Sequence, residues 1–418
     1  MPVDPVVAVP PERQPAGARP VGVRDLLGAL AASTVVTLPV FLVGSLAVQI
    51  RADLHFDAVT LGVIVACYYA TAAAASIPLG HLAERVGGAR VMRMAALASA
   101  VALAIIAALV GSWPALVATL VLAGVASSAV QPAANLFLSR RVDARHQGLA
   151  FGIKQSAIPL ASLLGGLAVP SLALTVGWRW AFALAAVLAL AASTAVPRPR
   201  RSLALRRAAE GTRARPEPIA PLVALAFGFG LALMSCTSLG TFLVTSAVAS
   251  GIGRGTAGLV AALASVASLS TRVAVGFQAD HRQGGHLAVA ATLLTGGAAG
   301  YLLLALGSAS HWAWIFVPGA VLAYGAGWGW NGLFNFAVVR THPLAPARAT
   351  GITQTGGRVG GMIGPLCFGV VAVHATFAAA WGAAAVEAVG GASLILFGRR
   401  LLRASTRAGA GPAPASVQ

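Results

Sequence analysis

The segment GHLAERVGGAR, residues 80–90, has a shorter counterpart in GFQADHR, residues 276–282. When the chain is shifted by 196 positions, the two first glycines coincide and the acid Glu84 falls on the acid Asp280. Each segment follows a long apolar run and is followed by basic residues. The pair therefore indicates that one structural unit occurs twice in the chain.

A second pair of segments supports the same repeat. GIKQS at 152–156 matches GITQT at 351–355 at an offset of 199, and Lys154 falls on Thr353. Two nearly equal offsets at separate points argue against matching by chance. We interpret the chain as an internal duplication, and Lys154, the only lysine present, is an addition to one copy alone.

The composition indicates a membrane protein. Hydrophobic residues make up 58% of the chain, charged residues only 10%, and the mean hydropathy is +0.82. A soluble domain has about 25% charged residues. A chain this apolar needs lipid as its main solvent. The net charge of +18 lies in short gaps between apolar runs, so it does not predict nucleic-acid binding.

Apolar runs of sufficient length recur twelve times. A bilayer core needs about 20 apolar residues per helix. The predicted spans are 26–49, 57–80, 91–111, 114–138, 149–172, 178–196, 219–247, 255–277, 286–308, 312–339, 350–373 and 375–398. The long arginine-rich gap 197–218 divides them into six and six.

The basic residues predict the orientation of these spans. With the N-terminus inside, 23 arginines lie in inside segments, and only Arg51, Arg179 and Arg254 lie outside. Cytoplasmic loops carry an excess of Lys and Arg. We therefore expect both termini in the cytoplasm and the protein in the cytoplasmic membrane.

Residues 80–90 resemble the loop motif after the second span of the major facilitator superfamily, Gly-x-Leu-Ala-Asp-Arg-x-Gly followed by basic residues. Glu84 stands where the family usually has Asp. The resemblance covers the whole layout and implies an all-α membrane fold of 12 transmembrane helices in two six-helix halves. The expected parts are a cytoplasmic tail (1–25), an N-terminal half (26–196), a basic cytoplasmic linker (197–218), a C-terminal half (219–398) and a second tail (399–418).

The motif also predicts a conformational latch. Glycines allow close helix approach and a tight turn, and Glu84 has Arg85, Arg90 or a helix N-terminus as candidate partners. Such a contact can form in one state and break in another, and the resemblance implies that the cytoplasmic end is closed when it is made. Solvated, purely topogenic charges are the alternative. The latch candidates are Gly80, Glu84, Arg85, Gly87, Arg90, Gly276, Asp280 and Arg282.

Polar residues inside spans are the candidates for the substrate pathway. The resemblance implies that spans 1, 4, 7 and 10 line a central cavity and that spans 2, 5, 8 and 11 form the seam between the halves. Ionisable residues within a membrane helix are functional candidates by default, although those near a helix end can snorkel. The candidates are Gln131, Asn135, Lys154, Gln155, Arg272, Trp330, Asn331, Asn335, Gln354 and Arg358.

The charges among these candidates favour an anionic or strongly polarised small molecule. Lys154, Arg272 and Arg358 lie in seam spans that contain no acid, and Glu387 in span 12 is the one acid deep within a span. GIKQSAIPL followed by GWRWAF is similar to segments of small-solute members, including relatives of cyanate and nitroimidazole carriers.

The sequence thus predicts a secondary transporter that works by alternating access. Its partners are a small-molecule substrate, the lipid bilayer and a coupling ion such as H⁺, with a monomer as the working unit. A proton-coupled drug or metabolite efflux pump is the alternative, and a non-transporting sensor is a remote one. The sequence has no nucleotide-binding motif and no metal or zinc spacing, which argues against an enzyme and against a cofactor.

Overall fold

The computed structural model describes residues 23–139, 147–196, 219–282, 284–342 and 346–409, and the regular structure in these ranges is helical. A helix satisfies its own backbone polar groups, which is why long apolar runs become helices in lipid. The helices are α1 (Val23–Ser45), α2 (Ala47–Leu54), α3 (Ala58–Ala74), α4 (Ser76–Val86), α5 (Gly88–Ala108), α6 (Trp113–Ser139), α7 (Gln147–Gln155), α8 (Ala157–Ala168), α9 (Trp178–Ala195), α10 (Ile219–Ala249), α11 (Arg254–His281), α12 (His286–Ser310), α13 (Ala313–Gly329), α14 (Asn331–Thr341), α15 (Pro346–His374) and α16 (Phe377–Gly409). A π-helical turn, Val169–Ala173, follows α8.

Four helix pairs are parts of longer rods. A single residue separates α1 from α2, α3 from α4, α7 from α8 and α13 from α14. The residues at these breaks are Leu46, Ala75, Ser156 and Trp330. The carbonyl of each one accepts a hydrogen bond from the amide four residues later, at distances of 2.9, 3.1, 3.0 and 3.0 Å respectively. The helical hydrogen-bond pattern therefore runs on through each break.

Ten helices within the described ranges are long and apolar enough to cross a membrane. The count becomes eleven when α2 and α3, which meet at 110°, are taken as one bent span. The ten correspond to ten of the twelve predicted spans. The other two, 57–80 and 312–339, contain α3 and α13, which are 17 residues long. At 1.5 Å per residue each reaches only about 26 Å, short of a hydrocarbon core of about 30 Å.

Several predicted segments are described only in part. The linker 197–218 and residues 1–22 lie outside the described residues, as do Arg140, Arg141 and Arg145. The second tail was predicted to begin at residue 399, but α16 continues to Gly409. Its last turns contain mainly Arg, Leu and Ala, which are good helix formers.

Helix contacts define a first half (residues 23–196) and a second half (219–409). In the first half α5 packs on α6 and α9, and α1 packs on α8; in the second, α10 packs on α15 and α16, and α12 on α13 and α16. Three sets of contacts join the halves: α3 with α15, α7 and α8 with α11, and α1 with α10. The halves therefore meet mainly through helices of the predicted seam.

Proline breaks in this bundle are compensated by polar side chains. Pro39 lies inside α1 and has no N–H, so the carbonyl of Val35 has no helical donor. The hydroxyl of Ser99 on α5 donates to that carbonyl at 2.8 Å, and Ser99 is fully buried. A neighbouring helix thus satisfies a carbonyl that the proline leaves free.

Glycines allow the tightest helix contact in the second half. A methyl group placed on Gly356 of α15 would overlap the carbonyl oxygen of Ala226 on α10, and one on Gly360 would overlap that of Gly230. Small residues at such interfaces let helix backbones approach closely in lipid. The α10–α15 contact therefore depends on the absence of side chains at these positions.

The substitution Gly360→Ala should destabilise the protein by about 1–3 kcal/mol, because the added methyl group requires the two backbones to separate. The measurement is the thermal unfolding midpoint of the purified protein in one detergent. Gly382→Ala on α16 is the matched control, since no heavy atom lies within 4 Å of the added methyl group. Equal midpoints for the two variants would contradict the close packing of α10 and α15.

Candidate functional site

Two buried amide side chains join the halves. Gln155, the last residue of α7, donates from Nε2 to Oδ1 of Asn331, the first residue of α14, at 2.9 Å. Gln155 is 7% exposed and Asn331 is 4% exposed. A buried amide needs partners, so this bond is a specific connection between the halves and not a surface contact.

The amide chain continues into the second half. Asn335 Nδ2 donates to Oδ1 of Asn331 at 3.1 Å, and Gln354 Nε2 on α15 donates to Oδ1 of Asn335 at 2.7 Å. Asn331 and Asn335 are four residues apart and therefore share a helix face. The two repeat-related glutamines, Gln155 and Gln354, thus bond the same pair of asparagines.

Arg272 on α11 donates hydrogen bonds to two backbone carbonyls, one from each half. Its guanidinium donates from Nη1 to the carbonyl of Gln155 and from Nη2 to the carbonyl of Trp328 at 2.8 Å. The Gln155 carbonyl needs this donor, because residue 159, four positions later, is a proline without an N–H. Arg272 is 1% exposed, so its prediction as a snorkelling residue at the interface is wrong.

Lys154 is also buried, with 2% exposure, and its Nζ donates to Oε1 of Gln131 on α6. The prediction that Lys154 snorkels is therefore wrong as well. Among the described residues no carboxylate forms an ion pair with Lys154, Arg272 or Arg358. The positive charges of Lys154 and Arg272 are close enough to repel each other. The site is therefore positive and has neutral amides where acids would balance it.

Aromatic rings form one wall beside these groups. Trp330, at the break between α13 and α14, is fully buried and donates from Nε1 to the carbonyl of Gly327 at 2.7 Å. Its ring packs edge-on against Phe229 and Phe334 at centroid distances of 5.4 and 5.7 Å. Trp330 is therefore a packing residue that fixes the helix break, and it presents no free polar group to a ligand.

Two predicted pathway residues lie apart from this network. Arg358 on α15 bonds the carbonyl of Ala72 on α3, so it braces the other contact between the halves. Asn135 is exposed and joins none of the hydrogen bonds above. The shared helix face of Gln131 and Asn135 does not bring both to the site, because Asn135 lies one turn nearer the end of α6.

The structure adds a pair that the sequence analysis did not select. Ser162 on α8 and Tyr324 on α13 lie 3.0 Å apart through their hydroxyl oxygens, and both are buried. The pair is a further polar link between the halves. One sequence signal was available, since Tyr324 precedes Trp328 by four residues and so lies on the same face of α13.

The predicted latch has a different partner in this structure. The Glu84 carboxylate lies 3.6 Å from His81 Nδ1, and the two side chains are 68% and 67% exposed. Arg85 and Arg90 are exposed too. No heavy atom lies within 4 Å of the position that a methyl group on Gly80 would take. The charged residues of the motif are therefore exposed, while its Gly88 packs closely on α6, where a methyl group would lie 2.5 Å from the carbonyl oxygen of Ala133. The end of the bundle that carries these residues is named here the Glu84 end.

The backbone conformation of the turn in the motif requires glycine at residue 87. Gly87 has φ of +97° and separates α4 from α5, a geometry that L side chains rarely adopt. In the second copy, Gly276 lies against α7, where a methyl group on Gly152 would be 3.4 Å from its Cα. Arg282 is exposed after the end of α11, and the side chain of Asp280 lies outside the described residues.

Arg272→Gln should lower the free energy of unfolding by about 1–3 kcal/mol, because two buried carbonyls lose a charged donor. Adding Pro159→Ala should recover about 1 kcal/mol, since residue 159 regains an N–H for the Gln155 carbonyl. The gain should be smaller in the wild type, where Arg272 already bonds that carbonyl.

Thermal unfolding of the four variants gives the coupling between the two positions. Pro365→Ala is the control, because it adds an N–H in α15, away from Arg272. Strict additivity of Arg272→Gln and Pro159→Ala would contradict the assigned bond.

The comparison with known protein families gives a match that extends over most of the chain. A family model described as Major Facilitator Superfamily matches residues 29–365, from α1 into α15. No curated protein matches the chain at a significant level. Because the family match spans most of the chain and both halves, the chain belongs to the Major Facilitator Superfamily.

Proposed function

We propose that this membrane transporter moves a small solute across the cytoplasmic membrane by secondary active transport with alternating access. The observation that carries the proposal is the buried polar network between the halves, above all the bond from Gln155 to Asn331. Buried amides and cations in a membrane bundle are expensive and are typical of a substrate or ion pathway. A site between two repeats is exposed to one side or the other when the halves rock.

The proposal includes twelve crossings with both termini inside. The rods α3–α4 and α13–α14 each continue through a break residue, so each is long enough to cross as one span. With these two the count rises from ten to twelve. The excess of arginine in the predicted inside segments supports a cytoplasmic position for the Glu84 end.

The packing supports a state that is closed at the opposite end. That end, named here the Asp53 end, contains Asp53, which accepts hydrogen bonds from Trp178 and Arg179 at 3.2 Å each. There Gly166 on α8 and Gly258 on α11 are in backbone contact: a methyl group on Gly258 would lie 2.6 Å from the Gly166 carbonyl oxygen. We take this contact as the seal of a state that is closed at the Asp53 end and in which the Glu84 latch is not formed; at the Glu84 end α7 and α11 stay in contact through Gly152 and Gly276.

A disulfide at the Asp53 end should stop transport. A Cβ atom on Gly255 of α11 lies 3.8 Å from Cβ of Pro170 in the π-helical turn, which matches the mean separation in disulfides. Pro170→Cys with Gly255→Cys should therefore cross-link the halves about 24 Å along the helix from Lys154. The oxidised protein in proteoliposomes should lose at least about tenfold in uptake, and a reductant should restore it.

The two single-cysteine variants, treated with the same oxidant, are the controls for the native thiols Cys67, Cys236 and Cys367. The cross-link is remote from the polar network, so it does not block the site itself. Equal uptake by the oxidised and reduced double variant would exclude rocking about this contact and with it the alternating-access mechanism proposed here.

The Glu84 latch is part of the proposal for the outward-facing state, in which the Glu84 end closes. Glu84→Gln removes the charge at nearly the same size, so it should slow transport and shift the population further toward the inward-facing state. Cysteine labelling from each side of the membrane measures that shift. His81→Ala removes only the contact that Glu84 makes with His81 in this structure, so it should change the transport rate less than Glu84→Gln does. An unaltered rate and labelling pattern in Glu84→Gln would remove the latch from the mechanism.

The energy source in this proposal is an ion gradient, with H⁺ as the first candidate, and one chain is the working unit. The narrow, aromatic and amide-rich surroundings of the network fit a compact solute better than a bulky one.

A further inference from the structure

We infer that the solute carries one acidic group, a carboxylate or an inorganic oxyanion, and that Lys154 of the first half and Arg272 of the second half bind it together. The inference rests on the transport function proposed above and names the substrate class for that site. It also separates the two buried cations from Arg358, which is only partly buried and has a different task.

The first argument is the charge of the site. Lys154 and Arg272 are 2% and 1% exposed, and burying a charge without a counter-charge costs several kcal/mol. No carboxylate in the described ranges pairs with either of them. The two cations are also neighbours, since Arg272 bonds the carbonyl of Gln155, the residue after Lys154, and like charges at short range repel each other. A single anionic group between them would remove both penalties.

The second argument is the number of donors. Lysine has three N–H donors and arginine has five. Lys154 has one protein acceptor, Gln131 Oε1, and Arg272 uses two nitrogens on the carbonyls of Gln155 and Trp328. Arg272 Nε is buried with no partner among the described residues. Two buried acceptors without partners in the described part of the chain lie nearby, Gln155 Oε1 and the Ser268 hydroxyl one turn before Arg272, but both are neutral and do not offset either charge.

The third argument is position. The cations come from α7 and α11, whose backbones touch: a methyl group on Gly152 would lie 2.9 Å from the carbonyl oxygen of Arg272. A ligand held by both is therefore held by both halves. Arg358 instead bonds the carbonyl of Ala72 at the α3–α15 contact, so it braces the seam and has no part in the anion site.

Pairing with the anion also changes the contact between the halves. Arg272 now donates to carbonyls of both halves, at Gln155 and Trp328. An acidic group is a stronger acceptor than a carbonyl, because charge-assisted hydrogen bonds are about twice as strong. Binding therefore draws the guanidinium from these carbonyls and loosens the same junction that must move during transport.

The test uses the full-length purified protein and a thermal-shift measurement with potassium salts of acetate, lactate, succinate, nitrate, sulfate and phosphate. Chloride at equal ionic strength is the reference, and acetamide and lactamide are the uncharged counterparts. At least one acid should raise the unfolding midpoint in a saturable way, and its amide should not. Stabilisation by acetate, lactate or succinate would identify a carboxylate as the ligand, and stabilisation by nitrate, sulfate or phosphate would identify an inorganic oxyanion.

Lys154→Thr, which installs the repeat-related residue, should weaken binding of that acid at least about tenfold. Lys154→Arg should retain it, because the charge is kept. Arg340→Gln is the matched control, since it removes an equal charge from an exposed position in the second half. Equal binding in the wild type and Lys154→Thr would overturn the inference, as would stabilisation by none of the six acids.

Transport separates this inference from the function on which it rests. An acid that binds through Lys154 but is not exchanged by proteoliposomes would refute the transport function and leave the anion site intact. A neutral or cationic solute carried equally by the wild type and Lys154→Thr would refute the anion site and leave transport intact.

Discussion

The contact between the two halves depends on how one buried guanidinium satisfies backbone carbonyls. In lipid each carbonyl freed from a helix needs another donor, because water is absent. Pro159 frees the Gln155 carbonyl, and Arg272 supplies the donor from the other half while its second nitrogen bonds Trp328. The same arginine therefore closes the break after α7 and anchors the end of α13. The neutral hydroxyl of Ser99 donates in the same way to the Val35 carbonyl, which Pro39 leaves free. A freed carbonyl therefore needs a donor but not a charged one, and the charge of Arg272 exceeds what this role requires.

Much of the polar site follows from simple sequence rules. The spacing of four between Asn331 and Asn335 predicts a common face, and they are hydrogen-bonded. The repeat predicts that Gln155 and Gln354 have similar surroundings, and both bond this asparagine pair. Such predictions succeed because helix periodicity and duplication constrain which side chains meet, whatever the details of packing.

Other features depend on packing that the sequence does not encode locally. Hydropathy predicts one span over 57–80, and the helix there is divided at Ala75 into α3 and α4 while its hydrogen-bond pattern continues. Nothing in this apolar run marks the division. Depth along a helix suggested that Lys154 and Arg272 reach the lipid interface. Instead both side chains are buried within the protein: Lys154 reaches Gln131 on α6, and Arg272 lies between the carbonyls of Gln155 and Trp328. Whether each side chain is buried was determined by the direction in which it leaves its helix, and not by its depth along the helix.

The difference between the two repeats carries the specificity of the site. Thr353, the counterpart of Lys154, is fully buried and satisfies its hydroxyl on Ala349 of its own helix. Its position thus needs nothing from another element. Lys154 is satisfied differently, because its ammonium group has three donors at the end of a long side chain and bonds another helix. It reaches Gln131 on α6 and still lacks a negative partner among the described residues. Threonine is satisfied within its own helix at this step of the repeat, so a charge is not needed there for packing, and the charge of Lys154 is available to the anion proposed above.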